Sequence, residues 1–166
     1  MNEQVREQFS DNRNVSSNWI QITQPMIDVF GTNTLDPDPM HQDPVWAKQN
    51  SPFGKTVAYG FLTLSLLTSL FHDARKTNPH HPFGHPELTF LNYGFDRARL
   101  VTPVPAGEWI RGHFELIDDS RKTASGHLIM KIGCRVEIKN ETAPALIAEW
   151  LAAGVQSKFL KPAANG

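Results

Sequence analysis

The chain has 166 residues, of which 40% are hydrophobic and 10% aromatic, enough for the core of one domain. There are 16 Lys and Arg residues against 17 Asp and Glu residues, and the formal net charge is −1 at pH 7. This balance excludes the strongly basic surface that nucleic acids or anionic membranes attract. The one cysteine, Cys134, excludes a disulfide within the chain and fits a reducing compartment.

The N-terminal segment 1–15 is polar and weakly patterned, so we expect a flexible arm or a short surface helix there. It lacks the apolar stretch of a secretory signal. The most apolar stretch, 57–71, spans 15 residues and contains four Ser and Thr residues, which makes it too short and too polar to cross a membrane. We therefore expect one domain over residues 1–166, in a soluble, cytoplasmic protein.

The first half of the chain favours helices. Residues 18–34 predict a short strand and then a helix whose N-cap is Thr23, with a proline in the first turn, where a missing N–H costs little. One or two helical turns are predicted to start at Asp43, and segment 51–55 predicts a turn. A long helix follows over 56–74. Apolar residues cover it nearly all round, which is typical of a helix wrapped by other elements.

In the second half the apolar period changes to two, which predicts strands with one buried face. The four predicted strands cover residues 91–104, 108–118, 127–139 and 144–155. The first is interrupted near Gly94, and a hairpin loop over 118–126 joins the second to the third. Cys134 lies on the apolar side of its strand and is predicted to be a core residue. A curved sheet around the apolar helix would give an α+β, hot-dog-like fold.

One short loop carries the residues with the clearest chemical potential. It reads LDPDPMHQDP from residue 35, and its Asp36 and His41 can converge if the chain turns back. Histidine, with an ordinary pKa of about 6.5, can accept and return a proton near neutral pH, and a nearby carboxylate can orient a water. Alone, such a pair is more typical of a capped turn and an ordinary loop histidine. Asp38 and Asp43 are predicted to be turn and N-cap residues.

The segment 36–67 resembles the hydratase signature of the MaoC-like family, hot-dog proteins related to (R)-specific enoyl-CoA hydratases. The family pattern is Asp, any residue, usually Asn, then Pro, an aliphatic residue and His, followed by an FG turn and AHG. The matching residues here are Asp36, Pro39, Met40, His41, Phe53, Gly54, Ala58 and Gly60. Asp38 replaces the usual Asn and Tyr59 replaces the His of AHG. The downstream segments 91–118 and 148–152 are similar to the nodulation-protein-N-like branch of the family, so the resemblance covers about residues 22–151.

The resemblance implies hydration of a trans-2-enoyl thioester of coenzyme A or an acyl carrier protein, or the reverse dehydration. Asp36 and His41 would hold and deprotonate the water. The backbone N–H of Gly60, at a helix N-terminus, would stabilise negative charge on the thioester oxygen, an effect worth about 3–4 kcal/mol in a preorganised site. Substrate contacts are expected at Phe53, Gly54, Ala58 and Tyr59. The resemblance also implies a homodimer, and the chemistry needs no metal or redox cofactor.

Other polar residues leave alternatives open. Asn92 is either a satisfied structural group or a contact to the thioester or its pantetheine arm, and Arg97 has the same two interpretations. His80, His81 and His85 could bind zinc, but their irregular spacing without a cysteine favours a solvated loop. The acid-rich loop also lacks the spaced acids, glycine and final Glu of a calcium site, so we expect no metal.

Two rival functions fit the same fold. A hot-dog thioesterase would use a carboxylate to activate water for attack at the carbonyl carbon, and it would release a free thiol. A non-catalytic domain would bind an acyl thioester, or only a partner, without turnover. Product analysis and binding of a non-hydratable acyl-CoA separate these three possibilities.

Overall fold

The computed structural model describes residues 14–78, 83 and 88–156. Within these residues six β-strands form one sheet in which all pairs are antiparallel. The strands are β1 (Asn14–Ser16), β2 (Ile20–Gln21), β3 (Leu88–Leu100), β4 (Trp109–Lys122), β5 (Leu128–Ile138) and β6 (Leu146–Gln156). Their order is β1-β4-β5-β6-β3, and β2 also pairs with β4. The long strand β3 therefore lies at one edge of the sheet.

Among the described residues, five helices come from the first half of the chain: α1 (Gln24–Thr34), α2 (Pro39–Gln42), α3 (Pro44–Asn50), α4 (Gly60–Ser65) and α5 (Leu67–Thr77). Thr23 is the N-cap residue of α1, as predicted, although its side chain makes no capping hydrogen bond. Leu66 joins α4 to α5 in a helical conformation, and the hydrogen bonds from Leu66 N to Leu62 O and from Leu70 N to Leu66 O continue across it. The predicted long helix is thus confirmed, with its start at Gly60.

Alternation along the strands builds the inner face of the sheet. On β5, Ile132, Cys134 and Val136 are buried while Arg135 between them is exposed. The period-two pattern therefore predicts the strands correctly, and Cys134 is a core residue as expected. A second, smaller apolar cluster of Ile129, Leu151 and Ala153 is buried apart from the main core. Because these three residues are one position out of phase with the inner-facing set, they lie on the opposite face.

Phe71 of α5 is the centre of the contact between helix and sheet. Its ring packs edge-on against three other aromatic rings, at centroid distances of 5.0 Å to Phe83, 5.1 Å to Phe114 and 5.4 Å to Trp150. Edge-on geometry is favoured because the positive edge of one ring meets the negative face of another. The long helix is thus held against β4 and β6, which sets the position of its N-terminal end.

The predicted burial of the long helix on nearly all sides is wrong along one stripe. Phe61, Ser65, Ser69 and His72 are exposed, and Phe61 retains 71% of its accessible surface. The reason is that the sheet covers only one face of the helix within a single chain. None of the helices in the described part of the chain is long and apolar enough to cross a membrane.

Two boundaries differ from the predictions. β4 continues to Lys122, so the predicted loop over 118–126 is shorter; residues 119–122 are exposed, and alternation could not reveal a strand there. The described end of the expected arm, Asn14 and Val15, belongs to β1. The rest of that arm lies outside the described residues. The predicted interruption of β3 is confirmed as a register shift between Asn92 and Gly94.

Candidate active site

The loop between α1 and α3 is shaped by one left-handed residue and two capping aspartates. α1 ends at Leu35, whose φ of 59° turns the chain back. Asp38 Oδ1 accepts a hydrogen bond of 2.8 Å from the backbone N–H two residues on, and Asp43 Oδ1 accepts two such bonds of 2.9 Å at the start of α3. Asp38 and Asp43 are therefore N-caps, as predicted, and the single turn between them carries His41.

His41 is held by hydrogen bonds on its ring and on its backbone. The Nδ1 atom lies 2.7 Å from the carbonyl oxygen of Val57. A carbonyl can only accept, so Nδ1 carries the proton of this bond and Nε2 of the neutral ring keeps a free lone pair. The backbone carbonyl of His41 accepts a 2.8 Å bond from Gln24 Nε2, which ties the turn to α1. The imidazole is therefore oriented with one nitrogen able to act as a base.

A cavity of about 370 Å³ opens beside this imidazole. It is lined by Met40, His41, Phe53, Val57, Ala58, Gly60, Thr63, Leu100, Thr102, Pro103, Val104 and Ala145. Four of the residues predicted to form the site, His41, Phe53, Ala58 and Gly60, are thus brought together. Of the described residues in this lining, His41 alone has a titratable side chain, so the space beside its imidazole is largely apolar.

Gly60 begins α4 on the wall of this cavity. Its backbone N–H donates no hydrogen bond among the described residues. Leu100, at the end of the edge strand β3, lies directly over it: a Cβ on Gly60 would overlap Leu100 Cδ1. A free N–H at a helix start is a suitable donor to a developing oxyanion.

Asp36 and Tyr59 lie behind His41, outside the cavity lining. The Asp36 carboxylate accepts a 3.2 Å bond from the backbone N–H of Asp38, while the Asp36 carbonyl accepts a 2.6 Å bond from the Tyr59 hydroxyl. The ring of Tyr59 packs on the His41 ring at a centroid distance of 3.9 Å. No hydrogen bond among the described residues joins the Asp36 carboxylate to the His41 ring directly.

The Tyr59 phenol stays protonated in this environment. Burial raises the pKa of Tyr59 above its usual value of 10.0, and the negative charge of Asp36 raises it further. A hydrogen bond with the Gln42 side chain acts in the opposite direction. Because the raised pKa keeps the O–H intact, the hydroxyl can only satisfy the Asp36 carbonyl as a donor.

Three other predicted residues do not line the cavity. Gly54 forms the exposed turn before it, with a φ of 65° that favours glycine. Asn92 lies beside a separate cavity of about 260 Å³, between α5 and the strands β3 and β6. Arg97 borders a third cavity of about 420 Å³ on the other side of the sheet. The geometry within this chain therefore gives no support to substrate contacts by Asn92 or Arg97.

The third cavity contains another bonded histidine. His113 Nδ1 lies 2.8 Å from Ser16 Oγ, and His113 Nε2 lies 3.0 Å from Glu137 Oε2, an ion-pair distance without the alignment of a hydrogen bond. Arg111 contacts Glu137 at 2.6 Å. Burial opposes the charge on Glu137, but the hydrogen bond from Arg111 and the close contact with His113 outweigh it and lower the pKa of Glu137. This network ties β1, β4 and β5 together.

Sequence reasoning missed two contributors to the site. Leu100 covers Gly60, and Gln24 anchors His41 through the backbone while also accepting a short hydrogen bond from the Thr56 hydroxyl. A position near the site could have been suspected for Leu100, because Leu100 and Val101 form an apolar pair at the end of a strand, just before a Thr-Pro turn. Gln24 gave no signal, since its partners are distant in sequence and lie on other elements.

No group of three His, Cys, Asp or Glu side chains that could hold a metal ion is present in residues 14–78, 83 and 88–156. His80, His81 and His85, weighed as zinc ligands, lie outside the described residues. Burial raises the pKa of the Cys134 thiol to about 12, so this thiol stays neutral near physiological pH.

The fold defines the class to which the protein belongs. The solved structure of the unliganded R-hydratase PhaJ1 from Pseudomonas aeruginosa matches this chain with a TM-score of 0.64 at 19% identity, over 93% of this chain and 92% of that one. At this identity the likeness shows the fold alone. The α+β arrangement of antiparallel sheet and helix is therefore a hot-dog fold, as predicted.

Sequence comparison then gives the family. The family described as MaoC like domain matches residues 8–134. Nodulation protein N of Rhizobium meliloti (strain 1021) is 39% identical over 137 residues, covering 82% of this chain and 81% of that protein. The 3-hydroxyacyl-thioester dehydratase Z of Mycobacterium tuberculosis (strain ATCC 25618 / H37Rv) is 32% identical over 133 residues, covering 80% and 82%. The chain belongs to the MaoC-like family, which confirms the resemblance found in its motifs.

Proposed function

We propose that this protein adds water to a trans-2-enoyl thioester, or removes water from the corresponding 3-hydroxyacyl thioester. His41 Nε2 takes a proton from the water that attacks the β-carbon, and the resulting imidazolium returns that proton to the α-carbon, so that OH and H add across the double bond and His41 is neutral again. Asp36 orients the water, which requires its carboxylate to turn toward the cavity, because it lies outside the lining. The Gly60 N–H stabilises the charge that develops on the thioester oxygen. The reaction forms one C–O bond and one C–H bond from water with no net oxidation or reduction, so the proposal requires no redox cofactor, and it invokes no metal.

One observation supports this proposal: His41, which has one unbonded ring nitrogen, and Gly60, whose N–H is unbonded among the described residues, line the same apolar cavity. Hydration of an enoyl thioester needs both groups, a base near the β-carbon and a donor near the carbonyl oxygen. The apolar lining suits an acyl chain and excludes competing charges. Coenzyme A and an acyl carrier protein are both candidates for the thiol carrier, since only the thioester and acyl chain enter this argument.

The test is to follow the enoyl absorbance of crotonyl-CoA and of a longer enoyl-CoA with purified protein, while a thiol reagent monitors free coenzyme A. Loss of absorbance without thiol release is the expected result. Thiol release would instead indicate a thioesterase. No reaction with either substrate, or with matching carrier-protein thioesters, would refute the proposed activity and leave a binding role.

A pair of aspartate variants tests which carboxylate orients the water. We expect Asp36→Asn to abolish turnover because the water loses its orienting carboxylate. Asp38→Asn is the matched control, because Asn is as good an N-cap as Asp and the turn that carries His41 would keep its shape. Equal loss of activity in both variants would contradict the assignment of Asp36.

We also propose that the protein is a homodimer. In the described part of the chain the edge strand β3 pairs on one side only, with β6, and it exposes Leu91 and Phe95; Phe61 is exposed on the long helix. An edge of this kind is normally covered. Sedimentation equilibrium should give twice the mass of the chain, and Leu91→Lys should shift it toward the single chain. A single-chain mass for the unaltered protein would refute the dimer.

A further inference from the structure

Tyr59 touches both members of the proposed Asp–His pair. Its hydroxyl donates a 2.6 Å hydrogen bond to the backbone carbonyl of Asp36, and its ring packs on the imidazole of His41 at 3.9 Å between centroids, tilted by 36°. The ring of Phe30 supports it from another side at 5.3 Å. Only 4% of Tyr59 is exposed, so its position is set by packing.

The hydroxyl sits in a pocket formed by the last turn of α1. A Cβ on Gly31 would overlap both the Tyr59 hydroxyl and the Gln42 amide, so glycine at this position makes room for them. Gln42 Nε2 donates a second hydrogen bond, of 3.3 Å, to the same Asp36 carbonyl. A carbonyl that receives two donors from a packed wall is held more firmly than one in an open loop.

The two reactive side chains lack a direct bond that could fix their relation. Among the described residues, the Asp36 carboxylate is bonded to its own loop and the His41 ring to the Val57 carbonyl. Tyr59 links the two residues: its ring packs on the His41 ring, and its hydroxyl bonds to the backbone carbonyl of Asp36. It lies behind the imidazole and outside the cavity lining, so a substrate in the cavity would meet His41 and not the phenol.

We propose that Tyr59 is a positioning residue: its ring sets the plane of the His41 imidazole, and its hydroxyl sets the backbone of Asp36. The inference rests on the proposed function for its kinetic consequence, although the positioning itself can be measured without turnover. It assigns to Tyr59 a role different from the substrate contact expected from its place in the motif.

Tyr59→Phe is the main variant, since it keeps the ring contact with His41 and removes only the bond to Asp36. We expect kcat to fall about tenfold while KM changes less than about twofold, because misplacement of a catalytic group slows the reaction without weakening binding. Gly31→Ala should act in the same way by displacing the hydroxyl while Tyr59 is unchanged. Tyr93→Phe is the matched control, since the chain has two tyrosines and Tyr93 is 60% exposed on β3.

Nuclear magnetic resonance supplies a readout that does not depend on activity. In Tyr59→Phe the carbonyl ¹³C signal of Asp36 and the ring signals of His41 should shift, whereas in Tyr93→Phe they should not. If the unaltered protein proves inactive while these signals shift, the proposed function fails and the positioning role stands. Two results for Tyr59→Phe would overturn the inference. The first is unshifted signals together with an unchanged kcat. The second is a raised KM with an unchanged kcat, which would make Tyr59 a substrate contact.

Discussion

His41 and His113 are bonded in opposite ways on the two sides of the sheet. His41 uses one nitrogen to hold the Val57 carbonyl. Among the described residues its other nitrogen is free, and no other titratable side chain lines the cavity beside it. His113 has Ser16 on one nitrogen and Glu137 facing the other. A base must have an unoccupied lone pair, so the histidine whose second nitrogen has no carboxylate beside it is the one suited to chemistry.

The two rings also differ in the charged groups around them. The His113 side carries Arg111, Arg135 and Glu137 in one network, and each charge there has an opposite charge near it. Such a network neutralises its members and fixes the strands that bear them. The cavity beside His41 has no such compensation. Ser16, His113 and Glu137 have the residue types of a catalytic triad, but their contacts are better explained as a link between strands.

The first prediction tests this contrast directly with two matched alanine variants. His41→Ala should lower kcat/KM by about 100-fold or more, because a general base contributes at least that much. His113→Ala should leave kcat/KM within about twofold and act on stability only. Steady-state kinetics on enoyl-CoA, with a thermal melt of each variant, measures both effects. A large loss of activity in a well-folded His113→Ala protein would reverse the roles assigned to the two histidines.

A second prediction concerns the crowding of Leu100 over Gly60. Gly60→Ala should lower kcat/KM about tenfold, because the new Cβ drives Leu100 into the space where the thioester would lie. Adding Leu100→Ala should restore much of the loss, since the overlapping atom is then absent. Leu100→Ala alone is the control. If the double variant were no better than Gly60→Ala, the loss would come from the backbone of the helix start and not from crowding.

The smallest effect is expected from the network around His113. The lowered pKa of Glu137 means that its folded form resists protonation, so its contribution to stability is present above the usual value of 4.5 and is lost as pH falls below it. Glu137→Gln should reduce the free energy of unfolding at pH 7 by about 1 kcal/mol at most and flatten its acid dependence. Urea titrations at several pH values, with activity followed in parallel, measure this. Loss of activity would contradict a purely structural role.

The sequence predicts the strands well and the contacts across them poorly. Alternation identifies β5 and the interruption at Gly94, because each residue's environment depends on its immediate neighbours along the strand. It fails for residues 119–122, where both faces are exposed and no pattern exists. It also could not place Asn92, whose distance from the cavity depends on which strand lies next to β3.

For the site, the motif predicts the residues but not their roles. His41, Phe53, Ala58 and Gly60 do line one cavity. Tyr59 belongs to the same motif, yet its hydroxyl bonds to a backbone carbonyl 23 residues earlier in the chain, a contact that no local pattern encodes. Roles that depend on a side chain's direction across the fold therefore require the structure.

The prolines of the loop around His41 have a consequence for the unfolded chain. Pro39 and Pro44 each occupy the first position of a short helix that follows a capping aspartate. Their rings restrict φ before folding as well as after it, so the unfolded chain has fewer conformations to lose at these positions. A proline in a compatible position is worth about 0.4–1 kcal/mol for this reason. Part of the order around His41 is therefore present before the protein folds.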